Sequence, residues 1–489
     1  MSRRNWWFRV ALLTALLPAS QGVSQTVLAS GSTSVRYIEL RPFVRDSVPA
    51  GATAGDGLLR QLPDGRVVRC LPGEAWCRDV RPGEPVSTLP VIHDLNLSAF
   101  GFGRGLRFYS HLRGRSALGA DRGLWPQEED HFEVMALYGE IERDKVRIRA
   151  GRQWKVSGLG YYNFDGLAIA LRPSPTTWIE AYGGRSLVRG LNEARTGGAL
   201  ESIEDLSLAN AGVLFGLHVR YRPAPRLALS AAYQVDVRGD RTGAYSELAI
   251  ADGMLRIGRG SVESSVELDL AGQALNQARV TVRSAPIGRT TVFAEARRYH
   301  PYFELWTIWG AFSPVGFDEG KSGVTWTSPD ARLSGRIEAS WRRYGDAATD
   351  APDDYRTTGW GAGAGATWTP RPPWTVDAYY RLESGFGASR WEGQAGIRRA
   401  FAGSGSLALQ GVAFQRLYEF RLDKGTVAGF GGEGSLPIGE RARVFASAMI
   451  YRQHGGGPSA IDWNQRRASL RFEWALGNEP VSSPPGAAR

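Results

Sequence analysis

Charged side chains fall two or four residues apart, on positions of one parity, along several stretches of this chain, among them Arg147 and Arg149, Arg279 and Arg283, and Arg332, Arg336, Glu338 and Arg342, with similar sets in 377–383 and 467–473. A period of two places such residues on one face of a strand. A face of this kind offers a lining to water, ions and polar solutes rather than a reaction centre. The lumen-facing candidates are Arg147, Arg149, Arg220, Arg283, Arg336, Arg342, Arg381, Arg471, Asp377 and Glu383. Mixed charge with an arginine excess would hold water and favour anions. The competing reading is that these charges pair across neighbouring strands and stabilise a wall.

Bond-making chemistry has little to work with. The histidines, at positions 93, 111, 131, 218, 300 and 454, stand apart in the sequence. The chain has no His-x-x-x-His pair, Gly-x-Ser-x-Gly elbow, Walker loop, dinucleotide fingerprint or calcium loop. No catalytic residue, metal ligand or cofactor is assigned, and an enzyme is disfavoured.

Two other groups stand out. Cys70 and Cys77 frame Cys-Leu-Pro-Gly-Glu-Ala-Trp-Cys, in which Pro72 and Gly73 favour a turn that brings the sulfurs together. In an exported chain this reads as a disulfide. A metal pair or a haem attachment fits less well, because the spacing is not Cys-x-x-Cys and no His follows Cys77. Residues 299–317 are too apolar for a loop that floats in water. Either Tyr302, Trp306 and Trp309 fold inward as a constriction or contact surface for a sugar or apolar solute, or the loop packs on the outer leaflet or on its neighbours.

Strands must position all of these. Positions 374, 376, 378, 380 and 382 are Trp, Val, Ala, Tyr and Leu, with Thr, Asp, Tyr, Arg and Glu between them. The same alternation recurs at 213–221, 227–235, 333–341 and 468–476, and no helical period of comparable quality appears. Breaks between the strands alternate strictly between two kinds. Short ones carry Pro or Gly, as at 101–105, 172–175, 222–225, 370–373 and 437–440. The others are on average longer, including 47–89, 114–130, 185–210, 301–321, 346–355 and 455–462. That alternation is what an up-and-down antiparallel barrel produces. Counting residues 36–46 as the first strand gives about 22 strands (range 18–22), an even number that places both chain ends on one side.

Residues 1–25 read as a cleaved secretory signal: Arg3, Arg4 and Arg9, then an apolar run from Val10 to Leu17, then small residues. No later stretch reaches the roughly 18 unbroken apolar residues of a spanning helix, so strands must do any crossing. The expected organisation is a short segment at 26–35, an all-β transmembrane barrel over 36–476 with a long loop at 47–89, and a disordered tail at 477–489. The net charge of +10 comes from basic residues scattered along the chain, so nucleic acid is not a partner.

With its signal, its Arg-Pro-x-Pro turns at 172 and 222 and its terminal strand Ala-Ser-Leu-Arg-Phe-Glu-Trp at 468–474, the chain resembles the bacterial outer-membrane β-barrel superfamily, most closely its porin-like members. The resemblance implies residence in the outer membrane of a Gram-negative-type bacterium. It also implies contact with outer-membrane lipids and lipopolysaccharide and assembly by the barrel assembly machinery. The polar, arginine-rich inward faces add the expectation that small polar solutes pass, with anions favoured. The oligomeric state is not implied. The alternative is a loop-capped structural, assembly or surface-anchoring barrel whose partner is polysaccharide, lipid or protein. Short turns then face the periplasm. An epitope inserted at Gly197-Gly198 should be labelled on intact cells, and one at Ser174 should not; surface labelling at Ser174 would overturn the strand count.

Overall fold

Strands that alternate in this way leave one face apolar and one polar, and with no helical layer to cover either face the sheet must close on itself. A computed structural model shows that closure. It describes residues 26–40, 43–55, 57, 59–70, 73–103, 105–118, 132–187, 212–237, 243–300, 316–345, 357–385, 388–401, 404–416, 425–455 and 462–476.

The chain begins with β1 (Thr26–Leu40), then β2 (Phe43–Pro49), β3 (Leu59–Gln61), β4 (Val67–Cys70) and β5 (Trp76–Pro82). There follow β6 (Val86–Phe100), β7 (Leu106–Leu118), β8 (Phe132–Arg143), β9 (Val146–Ser157), β10 (Gly160–Ser174), β11 (Thr177–Ser186), β12 (Val213–Ala224), β13 (Leu227–Val237) and β14 (Ala244–Ile257). The second half comprises β15 (Gly260–Asp269), β16 (Ala274–Arg283), β17 (Thr290–Tyr299), β18 (Phe317–Thr327), β19 (Leu333–Tyr344) and β20 (Thr358–Trp368). The last six are β21 (Trp374–Gly385), β22 (Ala388–Ala400), β23 (Ser406–Arg416), β24 (Gly425–Ile438), β25 (Ala442–Gly455) and β26 (Trp463–Leu476).

β1 and β6 to β26 make one sheet of 22 antiparallel strands, each paired with its neighbour in sequence, and β1 closes the ring by pairing with both β26 and β6. The expected strand number and up-and-down order are therefore found. The first strand is not where the alternation placed it. Residues 26–40 form β1, so the segment expected as a short lead lies in the wall, while 43–49 leave the barrel. β1 carries the run Ala-Ser-Gly-Ser-Thr-Ser, too small and polar to show an apolar face. Its place comes from backbone pairing on both edges. The 47–89 break resolves into the end of β2, a single 3-10 turn at Ala50–Ala52, the short strands β3 to β5 and the start of β6 at Val86. The breaks expected at 114–130 and 301–321 are shorter, since β7 runs on to Leu118 and β18 starts at Phe317.

β2 to β5 form a separate four-stranded sheet in the order β2-β5-β4-β3. Cys70 and Cys77 face each other across β4 and β5 and are joined as a disulfide, packed with Leu62 and Val68. Arg66 bonds Asp64 at 2.7 Å and Asp79 at 2.5 Å. Its guanidinium holds the Asp64 carboxyl below the ordinary 3.8. The folded group favours its charged form, so its contribution is complete above about pH 4 and is lost as pH falls through the lower folded value. Protection of residues 59–82, taken as hydrogen exchange relative to the intrinsic rate at each pH, should fall only on acidification below that point; a fall in protection between pH 7 and 5 would contradict it.

Along the wall the two faces differ in composition. Ile337, Phe430 and Leu470 stand 68%, 64% and 53% exposed, whereas Glu319 and Glu338, on the opposite face, are buried. On a closed barrel the concave inner face crowds its side chains and the convex outer face splays them, so the charged face is the inside. The strands run 10–15 residues, against about 9–11 needed to cross a bilayer at the usual tilt. A continuous outer belt of Leu, Ile, Val and Phe is untenable in water and at home in lipid. No helix among the described residues is long and apolar enough to cross a membrane. Trp326, Trp360 and Trp368 lie on the outer face near strand ends, as interfacial girdles require. Trp178 does not belong with them: it faces inward opposite Arg220 and is buried. The same parity turns Tyr162 and Trp463 inward.

Candidate functional site: the inner wall and an inward hairpin

The inner face is a lattice of ion pairs. Arg149 Nε donates to Glu140 at 2.5 Å, and Arg147 lies 4.0 Å from Glu140 and 3.9 Å from Glu180. On the far side of the barrel Arg342 Nε donates to Glu319 at 2.6 Å and a further nitrogen reaches Glu383 at 3.4 Å. Glu383 also pairs with Arg381, and Arg297 lies 3.5 Å from Glu319. Arg336 pairs with Glu338 at 2.6 Å, Arg471 with Glu473 at 3.1 Å, and Arg283 lies 3.9 Å from Glu263. Asp377 shares this face, opposite Thr367 and Gly396. Arg220 differs from the rest: it stacks over Trp178 at 3.9 Å and has no carboxylate in ion-pair reach among the described residues. The sequence candidates thus fall into two clusters, one on β8 to β12 and one on β17 to β21, with Arg283 and Arg471 between them. Tyr302, Trp306 and Trp309 lie outside the described residues.

What occupies the lumen among the described residues is an element the alternation did not single out. β9 and β10 are joined by the tight turn Gly158-Leu159. Leu159 packs with Ala232, Leu248 and Ile250 of β13 and β14. Four strand spacings separate β10 from β14, about 19 Å of wall, so the hairpin tip must leave the wall and cut across the interior. Its neighbours confirm the departure. β8 and β9 pair only from Arg143↔Val146 to Leu137↔Arg152, yet both strands run on for five more residues, 132–136 and 153–157. Side chains replace the missing ladder: Arg152 Nη1 donates to the Val134 carbonyl and Asn163 Nδ2 to the Met135 carbonyl, each at 3.0 Å.

The bend is written in glycine. Gly151 pairs with Gly166, and Gly166 with Gly184, making a line of three across β9, β10 and β11. Gly151 has φ +126°, and a Cβ there would lie 2.3 Å from the Leu137 carbonyl oxygen; one on Gly166 would lie 2.0 Å from that of Gly183. Backbone can approach that closely only where no side chain intervenes. Gly166→Ala is expected to cost about 1–3 kcal/mol, read as a lower temperature for loss of the compact band on a gel. An unchanged temperature would mean the line is incidental. The signal was present in the sequence as Gly-Arg-Gln-Trp and Phe-Asp-Gly-Leu, but single glycines in strands are common and the match between strands shows only in the register.

The inner end of the hairpin is anchored by charge and rings. Lys155 Nζ forms an ion pair with Glu180 and lies 4.7 Å from the Trp178 ring centre and 5.5 Å from that of Tyr182. Tyr182 stacks on Phe164 and donates its hydroxyl to Gln234 at 2.9 Å.

A closed ring of 22 antiparallel strands, apolar outside and charged within, is the architecture of the outer-membrane β-barrels in their larger, porin-like form. No family model matches the chain, and no curated protein does. Solved structures that resemble it include a BenF-like porin from Pseudomonas fluorescens Pf-5, at 10% identity and a TM-score of 0.40 over 92% of this chain and 99% of that one. OccK8 (OprE) of Pseudomonas aeruginosa is similar at 11% identity and 0.39, over 93% and 98%. The translocation pore of the P pilus usher (PapC) is similar at 8% and 0.39, over 92% and 100%. Likeness of this order adds no argument of its own; the barrel stands on its strand pairing.

Proposed function

We propose that the protein is a porin-like channel of the bacterial outer membrane, reached by export with a cleaved signal, and that it passes small polar solutes without catalysing a reaction. The observation that carries this reading is the charged inner face of a closed 22-stranded ring. A charged lining is stable only where water reaches it. The anion preference rests on Arg220 and Arg279, inward cations with no carboxylate in reach among the described residues. Lipid and lipopolysaccharide on the outer belt, and the assembly machinery during insertion, are the partners this placement requires.

Zero-current potentials across a potassium chloride gradient test it. Purified protein should show chloride preference, and Arg220→Glu with Arg279→Glu should move the reversal potential toward potassium; no movement would remove the anion reading. The disulfide-stapled sheet of β2 to β5 favours the second reading, a capped barrel that serves as a surface anchor. That barrel would release no trapped solute from liposomes.

A further inference from the structure

The contacts of Lys155 have the form of a ligand site. Its ammonium meets one carboxylate, Glu180, and the rings of Trp178 and Tyr182. All three are nearly inaccessible, at 3%, 8% and 5% exposure. A buried carboxylate with two aromatic faces is how proteins hold an ammonium group, because the ring quadrupoles replace lost hydration while the carboxylate balances the charge. The cage is fixed from behind without help from the lysine. Tyr182 is held by Gln234 and Phe164, and Trp178 is contacted from β12 by Arg220, 3.9 Å from its ring centre, and by the His218 ring at 5.2 Å. Glu180, Trp178 and Tyr182 all stand on β11, which stays in the wall, whereas Lys155 arrives on the hairpin that has left it.

The hairpin has somewhere else to go. The edge it vacated on β8, residues 132–136, matches in length its own unpaired edge, 153–157, and the last formed pair, Leu137↔Arg152, sets the register in which they would join. Backbone groups left off a ladder favour completing it. The inward position is therefore maintained by the anchors at its tip, Lys155 in the cage and Leu159 in its cluster on β13 and β14, together with Arg152 and Asn163 on the vacated β8 carbonyls.

We propose that Glu180, Trp178 and Tyr182 form a subsite for a primary alkylammonium solute, that Lys155 occupies it as a tethered substitute, and that solute binding displaces Lys155 and returns the β9–β10 hairpin to the wall. This deepens the channel reading, and its test does not depend on conduction. n-Butylammonium is titrated by calorimetry into detergent-solubilised full chain. Lys155→Ala vacates the cage and should bind it about tenfold more tightly than the native protein, a difference of about 1.4 kcal/mol. Glu180→Gln in the Lys155→Ala background should abolish the gain. Lys155→Met, which keeps the stem of the side chain, serves if the alanine variant fails to fold. In the native protein, saturating n-butylammonium should slow hydrogen exchange at residues 132–136. Equal affinity for native and Lys155→Ala chains, or a gain that survives Glu180→Gln, overturns the subsite. Unchanged exchange at saturation overturns the displacement. A chain that conducts nothing yet binds n-butylammonium as stated defeats the channel reading and leaves the subsite intact.

Discussion

Replacing Ile337 with arginine should cost the folded barrel about 2–4 kcal/mol in a bilayer. Ile337 is the most exposed of the large apolar side chains on β19, at 68%, and it lies mid-strand between Arg336 and Glu338 of the inner face. In water an exposed isoleucine is replaced at little cost, since surface changes away from special features fall within about 0.5 kcal/mol. In hydrocarbon the guanidinium has no water and no partner. The measurement is the urea midpoint of folding into phosphatidylcholine vesicles, with Ser340→Arg, on the inner face of the same strand, as the control. A large loss for Ile337→Arg and a small one for Ser340→Arg is the expected pair. Equal effects would mean that both faces meet the same solvent, and the membrane placement would fall.

Arg342→Ala is the second substitution expected to act strongly. The guanidinium bridges Glu319 on β18 and Glu383 on β21 while lying 5.1 Å from the Phe317 ring. Removing it leaves Glu319, only 7% exposed, with the weaker 3.5 Å contact to Arg297. Hydrogen bonds to charged groups are worth about 1.5–3 kcal/mol and a carboxylate stranded out of water costs at least as much; access of water to the lumen keeps the expected loss to about 2 kcal/mol. Adding Glu319→Gln should recover part of it, since the stranded charge is then gone. A double mutant no more stable than Arg342→Ala would show that Arg342 acts through packing on Phe317 rather than through charge.

The wall was legible in the sequence because period-two alternation is local. Ile337, Trp341, Leu470 and Phe472 each stand beside charged neighbours, and the structure puts the apolar member of each pair outside. β1 escaped for the complementary reason: Ser30, Gly31 and Ser32 carry no face to read, and the strand is fixed by β26 and β6 lying nearly the whole chain and sixty residues away. The pairing of the inward charges was half legible. Arg381 and Glu383 are two residues apart on one strand, but Arg342 with Glu319 needs the register of β18 on β19. The inward hairpin was not legible at all. Nothing local distinguishes Lys155 from any strand lysine; its cage is built from β11, and the bend that delivers it depends on three glycines meeting across three strands.

The central claim is that this chain is a membrane-spanning barrel with a continuous aqueous lumen. Single-channel recording of refolded protein in a planar bilayer tests it most directly. Discrete, ohmic conductance steps should appear on insertion, with larger steps for Lys155→Ala, which removes one of the two anchors at the hairpin tip. Protein that inserts, as judged by protection of its strands from protease, and yet gives no step at any voltage would contradict it.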